Sequence, residues 1–279
     1  MNNQNKMIYT ESELRTKAVY IEQHKNYIKD ESIFNRFLNV ASDPSSYDLP
    51  LAWFKGKNVL DAGCGNTGFM EVAMYRLGVR KITCLDLGKE WIPELQKMLD
   101  IFSIPHDFVE YVEGSTCDLP FQDSTFDFVI SSGVIMHLES VALAEKALDE
   151  MTRVTRNGGC LYVYTGIDKP GIIDRYVVPA LRKAYIEDVE FQDFVDNLDH
   201  NDIINQLREC YKTGIDYDKE ISEEFILHLK KFFTLDSTTF IQNLLQVPVQ
   251  NGPKLTENWA KNYLKKLNLK NIRRIKERY

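Results

Sequence analysis

The spacing of apolar and polar positions changes twice along the chain. Thr10 followed by Glu13 is a capping-box pattern, and Leu14, Ala18, Ile21 and Ile28 then recur at helical spacing, which predicts a helix to about Lys29. A short helix is predicted over Ser32 to Val40, followed by a loop at Ser42-Asp43-Pro44-Ser45-Ser46. From Lys57 short apolar runs alternate with helical stretches, the signature of a parallel sheet with helices on both faces. The predicted strands are Asn58 to Ala62, Lys81 to Leu87, Phe108 to Val112, Phe126 to Ser131 and Cys160 to Thr165. The helices between them run from about Gly68 to Leu77, Trp91 to Ile101 and Ser140 to Arg156, the last with Gly158-Gly159 in C-cap position. After Gly166 the alternation stops, and about 85 residues keep helical periodicity, as in Asp174 to Tyr185 and Ser222 to Phe233. A last helix is expected from about Thr256 to Leu267, and Ile272 with Ile275 predicts a strand within Lys270 to Tyr279.

Composition narrows the class. The 279 residues are 44% hydrophobic and 27% charged, which fits a globular chain and excludes disordered or repeat-dominated ones. The five cysteines, Cys64, Cys84, Cys117, Cys160 and Cys210, never form Cys-x-x-Cys. That argues against a disulfide framework or zinc knuckle and for a reducing, cytoplasmic compartment with no metal. The first ten residues lack the apolar stretch of a signal peptide, and no apolar run reaches the roughly 18 residues of a membrane span. The net charge is −7, but Lys254 to Tyr279 holds nine Lys+Arg against two Asp+Glu, leaving the rest at −14. An acidic body disfavours nucleic acid, and the basic tail reads as a solvated helix face.

Candidate chemistry begins at Gly63-Cys64-Gly65-Asn66-Thr67-Gly68, a Gly-x-Gly-x-x-Gly directly after a strand and before a helix. Such a loop accepts nicotinamide dinucleotides and other adenosine ligands alike, because glycines let a ligand approach the main chain. Asp61, two residues before the first glycine, separates them. A carboxylate there repels a pyrophosphate, whereas it attracts the ammonium and sulfonium of S-adenosylmethionine. Asp86, about 20 residues on at the end of the second strand, suits a ribose diol in either case; the plainer alternative is a helix N-cap.

With these residues the chain resembles the class I S-adenosylmethionine-dependent methyltransferases of the small-molecule methyltransferase-domain type. Three further segments carry the resemblance: Gly114-Ser115-Thr116-Cys117-Asp118-Leu119-Pro120-Phe121, Phe126 to Val134, and Arg153 to Gly159, so that it covers about residues 55 to 166. It implies a Rossmann-like, doubly wound α/β fold with a mostly parallel sheet, N-terminal helices and a helical insertion after strand five. The implied organisation is an N-terminal helical cap over 1–50, a cofactor-binding core over 51–166, an insertion forming a substrate lid over 167–250, and a closing helix and strand over 251–279. It implies that Asp61, Gly63, Cys64, Gly65 and Gly68 hold the methionine end, Asp86 with Leu87 the ribose, Ser115, Thr116, Cys117 and Asp118 the adenine region, and Ser132 the space near the methionine. Two departures stand out. Ser115 occupies a position that is often acidic in the family, and only one strand is legible after the insertion, so Gln246 to Gln250 is a second candidate for the missing one.

The implied reaction is in-line methyl transfer to a small-molecule oxygen or nitrogen, for which alignment and exclusion of water matter most. His137, after the fourth strand at the carboxyl end of the sheet, is the candidate base, or else a histidine packed beside the cofactor. Tyr164, Thr165 and Asp168 flank the same crevice. Cys64 has no neighbouring base and reads as a small loop-filling residue rather than a nucleophile. The acidic run from Glu187 to Asp202 reads as a solvated helical face, with attraction of a cationic substrate as the alternative. The rival functions are a non-catalytic cofactor-binding or partner protein on the same fold and, disfavoured by Asp61, an NAD-dependent oxidoreductase. The acceptor's identity and the oligomeric state are not encoded in these motifs.

Overall fold

The computed structural model describes Glu13, Leu14, Lys17, Tyr20, residues 31–165, Lys183, residues 187–196, 255–267 and 269–275. Five strands, β1 (Asn58–Ala62), β2 (Lys81–Asp86), β3 (Val109–Glu113), β4 (Phe126–Ser132) and β5 (Thr155–Tyr164), form one sheet in the order β3-β2-β1-β4-β5. Every neighbouring pair is parallel. The chain enters the sheet at its centre, winds to one edge through β2 and β3, then crosses to β4, so the strand order reverses beside β1. A crevice outside the carboxyl ends of the strands opens at such a point.

The helices are α1 (Glu31–Ser42), α2 (Leu51–Phe54), α3 (Phe69–Arg76), α4 (Ile92–Ile101), α5 (Val141–Val154), α6 (Val189–Asp196) and α7 (Glu257–Lys266). The period-2 alternation of each strand sends its side chains into two cores. Val59, Ile82, Cys84, Phe128 and Ile130 pack with Leu38, Phe54, Ala73, Trp91 and Leu95 on one face. Leu60, Ala62, Leu85 and Val129 pack with Ala144, Ala147, Leu148, Met151 and Tyr263 on the other. The central strands are therefore buried on both sides, which is why they read as nearly unbroken apolar runs.

Three local expectations are corrected. The helix before β5 ends at Val154, and Thr155, not the Gly158-Gly159 pair, is its C-cap. Its last carbonyls are taken by the preceding turn, through Ser124 N–H to Arg153 O at 2.9 Å and Thr125 N–H to Val154 O at 2.8 Å. Thr155 thereby pairs with Phe126 and begins the strand, with a register shift before Cys160. The loop expected around Ser42 to Ser46 contains a 3-10 turn, Pro44–Tyr47, whose start is capped when Asp43 accepts from the Ser45 N–H. Residues 269–275 form no strand. Asn271 has φ 57°, which interrupts extended backbone, and Arg273 and Arg274 are drawn to Asp48 and Glu257. The alternative strand at Gln246 to Gln250 lies outside the described residues.

Met1–Asp168 with Asn251–Tyr279 makes one compact unit and Lys169–Gln250 another. In the second, Glu187, Asp188, Glu190 and Asp193 are exposed, consistent with a solvated acidic face. The side chains of the rest of the expected lid, Phe191 and Phe194 included, lie outside the described residues.

Candidate cofactor-binding site

The glycine loop is held by its backbone. The N–H groups of Gly63 and Cys64 both donate to Leu85 O, at 2.8 and 3.2 Å, which turns the chain sharply off the end of β1. Gly63 has φ 93°, and a Cβ there would come 2.3 Å from Val134 Cγ2, so only glycine lets the turns after β1 and β4 meet. Gly68, with φ 74°, starts α3, and a Cβ there would press on Met98 of α4 at 2.7 Å.

Three acidic side chains surround this loop. Asp61, at the end of β1, is 3% exposed; burial pushes its carboxyl well above the usual range, and the nearby Glu71 and Asp86 push the same way. Glu71, on α3, is fully buried and raised to about 7 by burial. Asp86 is raised by burial too, but less freely, because its carboxylate accepts from Gly65 N–H and Leu87 N–H, both at 2.7 Å, and feels Lys17. Asp86 is thus the brace between the glycine loop and the end of β2 rather than a helix cap. Each of its oxygens retains a second lone pair, so a diol can still donate to it.

Cys64 and Cys84 stand beside Glu71, and the three ligand-capable atoms lie within 4.8 Å of one another. Cys84 S–H donates to Glu71 Oε1 at 3.0 Å. Burial raises both thiols well above their ordinary value, which keeps them protonated and makes Cys64 a poor nucleophile. No local spacing in the sequence marks this cluster, because Cys84 and Glu71 come together only through the packing of α3 on β2.

On the β3 side, Gly114 N–H donates to Asp86 O at 3.0 Å, and Ser115 and Asp118 close a small bridge. Thr116 and Cys117 are buried, whereas Asp118 points to solvent. Arg153 of α5 donates to Leu119 O at 2.9 Å and Phe121 O at 2.7 Å, clamping the end of this loop. On the β4 side, Gly133 N–H donates to Tyr164 O at 2.9 Å, and a 3-10 turn, Ile135–His137, carries His137. The Tyr20 hydroxyl lies 2.8 Å from His137 Nε2 and 3.2 Å from Nδ1. Ser132, Tyr162 and Tyr164 line a cleft together with Phe37, Tyr47 and Phe69. Asp168 lies outside the described residues.

Residues 60–163 match the family described as a methyltransferase domain. In this stretch the chain is similar to class I methyltransferase domains. The family uses S-adenosylmethionine. The chain is 32% identical over 131 residues to the ubiquinone/menaquinone biosynthesis C-methyltransferase of Roseobacter denitrificans, covering 47% of this chain and 48% of that one. It is 33% identical over 113 residues to the malonyl-[acyl-carrier protein] O-methyltransferase of Pectobacterium atrosepticum, covering 40% of each. It is 29% identical over 134 residues to norajmaline N-methyltransferase of Rauvolfia serpentina, covering 48% of this chain and 41% of that one. The chain therefore spans about half the length, or less, of these curated relatives. Their names place the methyl group on carbon, oxygen and nitrogen, so likeness to this domain by itself does not fix the acceptor.

Proposed function

We propose that this chain transfers a methyl group from S-adenosylmethionine to a small-molecule acceptor. The observation that carries the reading is the set of three buried or half-buried carboxyls, Asp61, Glu71 and Asp86, around a glycine loop too tight for side chains. Burial first, and then the neighbouring Glu71 and Asp86, raise the Asp61 carboxyl; a cationic ligand offsets that cost by favouring the ionised form, whereas a pyrophosphate adds to it. When bound, S-adenosylmethionine supplies a methyl group on a sulfonium, and S-adenosylhomocysteine is the product.

In this reading Asp61 and the loop from Gly63 to Gly68, Cys64 and Gly65 included, hold the methionine end. Asp86 accepts from the ribose while the Leu87 backbone fixes its carboxylate. Ser115, Thr116 and Cys117 wall the base, with Asp118 at the rim, and Ser132 borders the methionine. The aromatic cleft beside Ser132 and Tyr164 receives the acceptor, excluding water and aligning its nucleophile with the methyl carbon. His137 stands at the methyl end; with an acidic O–H or N–H acceptor it takes the proton as the new bond forms, and Tyr20 orients its ring.

Calorimetric titration with S-adenosylmethionine, S-adenosylhomocysteine and NADH tests the reading. The wild type binds the first two and not the third, and Asp86→Ala weakens both at least tenfold. Binding of NADH alone overturns the assignment.

A further inference from the structure

Glu13, Lys17 and Tyr20 are helical and stand at i, i+4 and i+7, so they share one face of a helix outside the matched stretch. Each reaches a different loop at the carboxyl end of the sheet. Ser115 Oγ, after β3, donates to Glu13 Oε1 at 2.7 Å. Lys17 Nζ, beside the turn after β2, meets Glu90 Oε1 at 2.7 Å and lies where a Cβ on Gly88 would fall, 2.2 Å away. Tyr20 meets His137, after β4. Seven residues of helix rise about 10 Å, and the three strand spacings from β3 to β4 measure roughly 14 Å. Side chains cover the difference, so the helix face spans the same row of loops as the proposed cofactor.

The order of these loops sets which part of the cofactor each contact meets. With the ribose on Asp86 at β2 and the sulfonium beside β1 and β4, the base falls at the β3 loop, against Ser115, Thr116 and Cys117. Glu13 is held at that loop by Ser115. A carboxylate is acceptor-only, and the exocyclic amino group of adenine is a donor. We propose that Glu13 is a specificity-determining residue of the cofactor site, accepting from the adenine amino group, so that base recognition comes from a helix the domain motif does not contain. This rests on the cofactor reading above.

The test compares S-adenosylhomocysteine with S-inosylhomocysteine, in which an oxo group replaces the amino group, by calorimetry on the full chain. A carboxylate facing the oxo group leaves two acceptors opposed, so the wild type prefers the adenosyl ligand by more than about tenfold. In Glu13→Gln, whose amide both donates and accepts, the preference falls to within about threefold. If Glu13 only tethers the helix, the variant weakens both ligands equally and the ratio stands; that result, or an unchanged affinity for both, overturns the proposal. A wild type that binds neither ligand overturns the cofactor reading, and the role of Glu13 with it.

Discussion

Glu71 is a glutamate fully buried between α3 and β2, with one oxygen accepting from Cys84 and the other, Oε2, without a hydrogen-bond partner. Burial raises its carboxyl from 4.5 to about 7, so between those values the folded chain holds a proton that the unfolded chain gives up. The unfolded state then binds fewer protons, and stability falls as pH rises through that window. Glu71→Gln is expected to melt at a higher temperature than the wild type near pH 8, with the gain disappearing toward pH 4.5; thermal unfolding across that range checks it. A constant difference would mean that Glu71 does not titrate there. At Gly63 the constraint is steric. Gly63→Ala combines φ 93° with a methyl 2.3 Å from Val134, and is expected to cost about 2–4 kcal/mol in denaturant unfolding. Val134→Ala removes the closest of those contacts and recovers part of the loss in the double variant, leaving the backbone strain. Neither residue's role depends on a ligand being bound.

Among the elements, α7 shows how a segment far along the chain joins the core. Thr256 caps it by accepting from Trp259 N–H. Trp259 Nε1–H donates to Glu145 Oε1 at 3.0 Å, and Tyr263 O–H reaches Asp149 Oδ1 at 2.8 Å, both partners lying on α5. The opposite face of α7 is basic and solvated, with Lys261 64% exposed, as the charge pattern of the tail predicts. Tyr263→Ala is expected to lose about 3–4 kcal/mol through the vacated ring. Tyr263→Phe is expected to lose only about 1 kcal/mol with the hydrogen bond. Chemical denaturation of both variants separates packing from hydrogen bonding; equal losses would show that the hydroxyl carries the docking. The strands from β1 to β4 are shorter than α7 and better marked, because their apolar runs and flanking turns lie within a few residues. The boundary between α5 and β5 is not legible locally, because the turn at Ser124 and Thr125, 29 residues earlier, rather than Gly158, satisfies the helix end.

At the scale of the molecule, a two-sided sheet puts every strand's carboxyl end on one rim and so gathers loops that the chain keeps apart. Among the described residues no helix is long and apolar enough to cross a membrane. The five strands, their alternation with helices, the glycine loop and Asp86 were legible in the sequence, since each is written in local spacing: period 2 or 3.6, a turn that needs glycine, an acid at a strand end. The contacts Glu13–Ser115, Lys17–Glu90 and Tyr20–His137 span 102, 73 and 117 residues. The apolar spacing of Leu14, Ala18, Ile21 and Ile28 predicts a helix there, of which Ala18, Ile21 and Ile28 lie outside the described residues, whereas nothing in the local spacing gives Glu13, Lys17 and Tyr20 a destination. The Cys64–Glu71–Cys84 cluster was equally hidden. Local sequence thus determined which elements form and where the glycine loop lies, because backbone propensity and side-chain period act over a few residues. Only the tertiary structure decided which side chains share the site, because that depends on which strands become neighbours and on the burial that shifts their carboxyls and thiols.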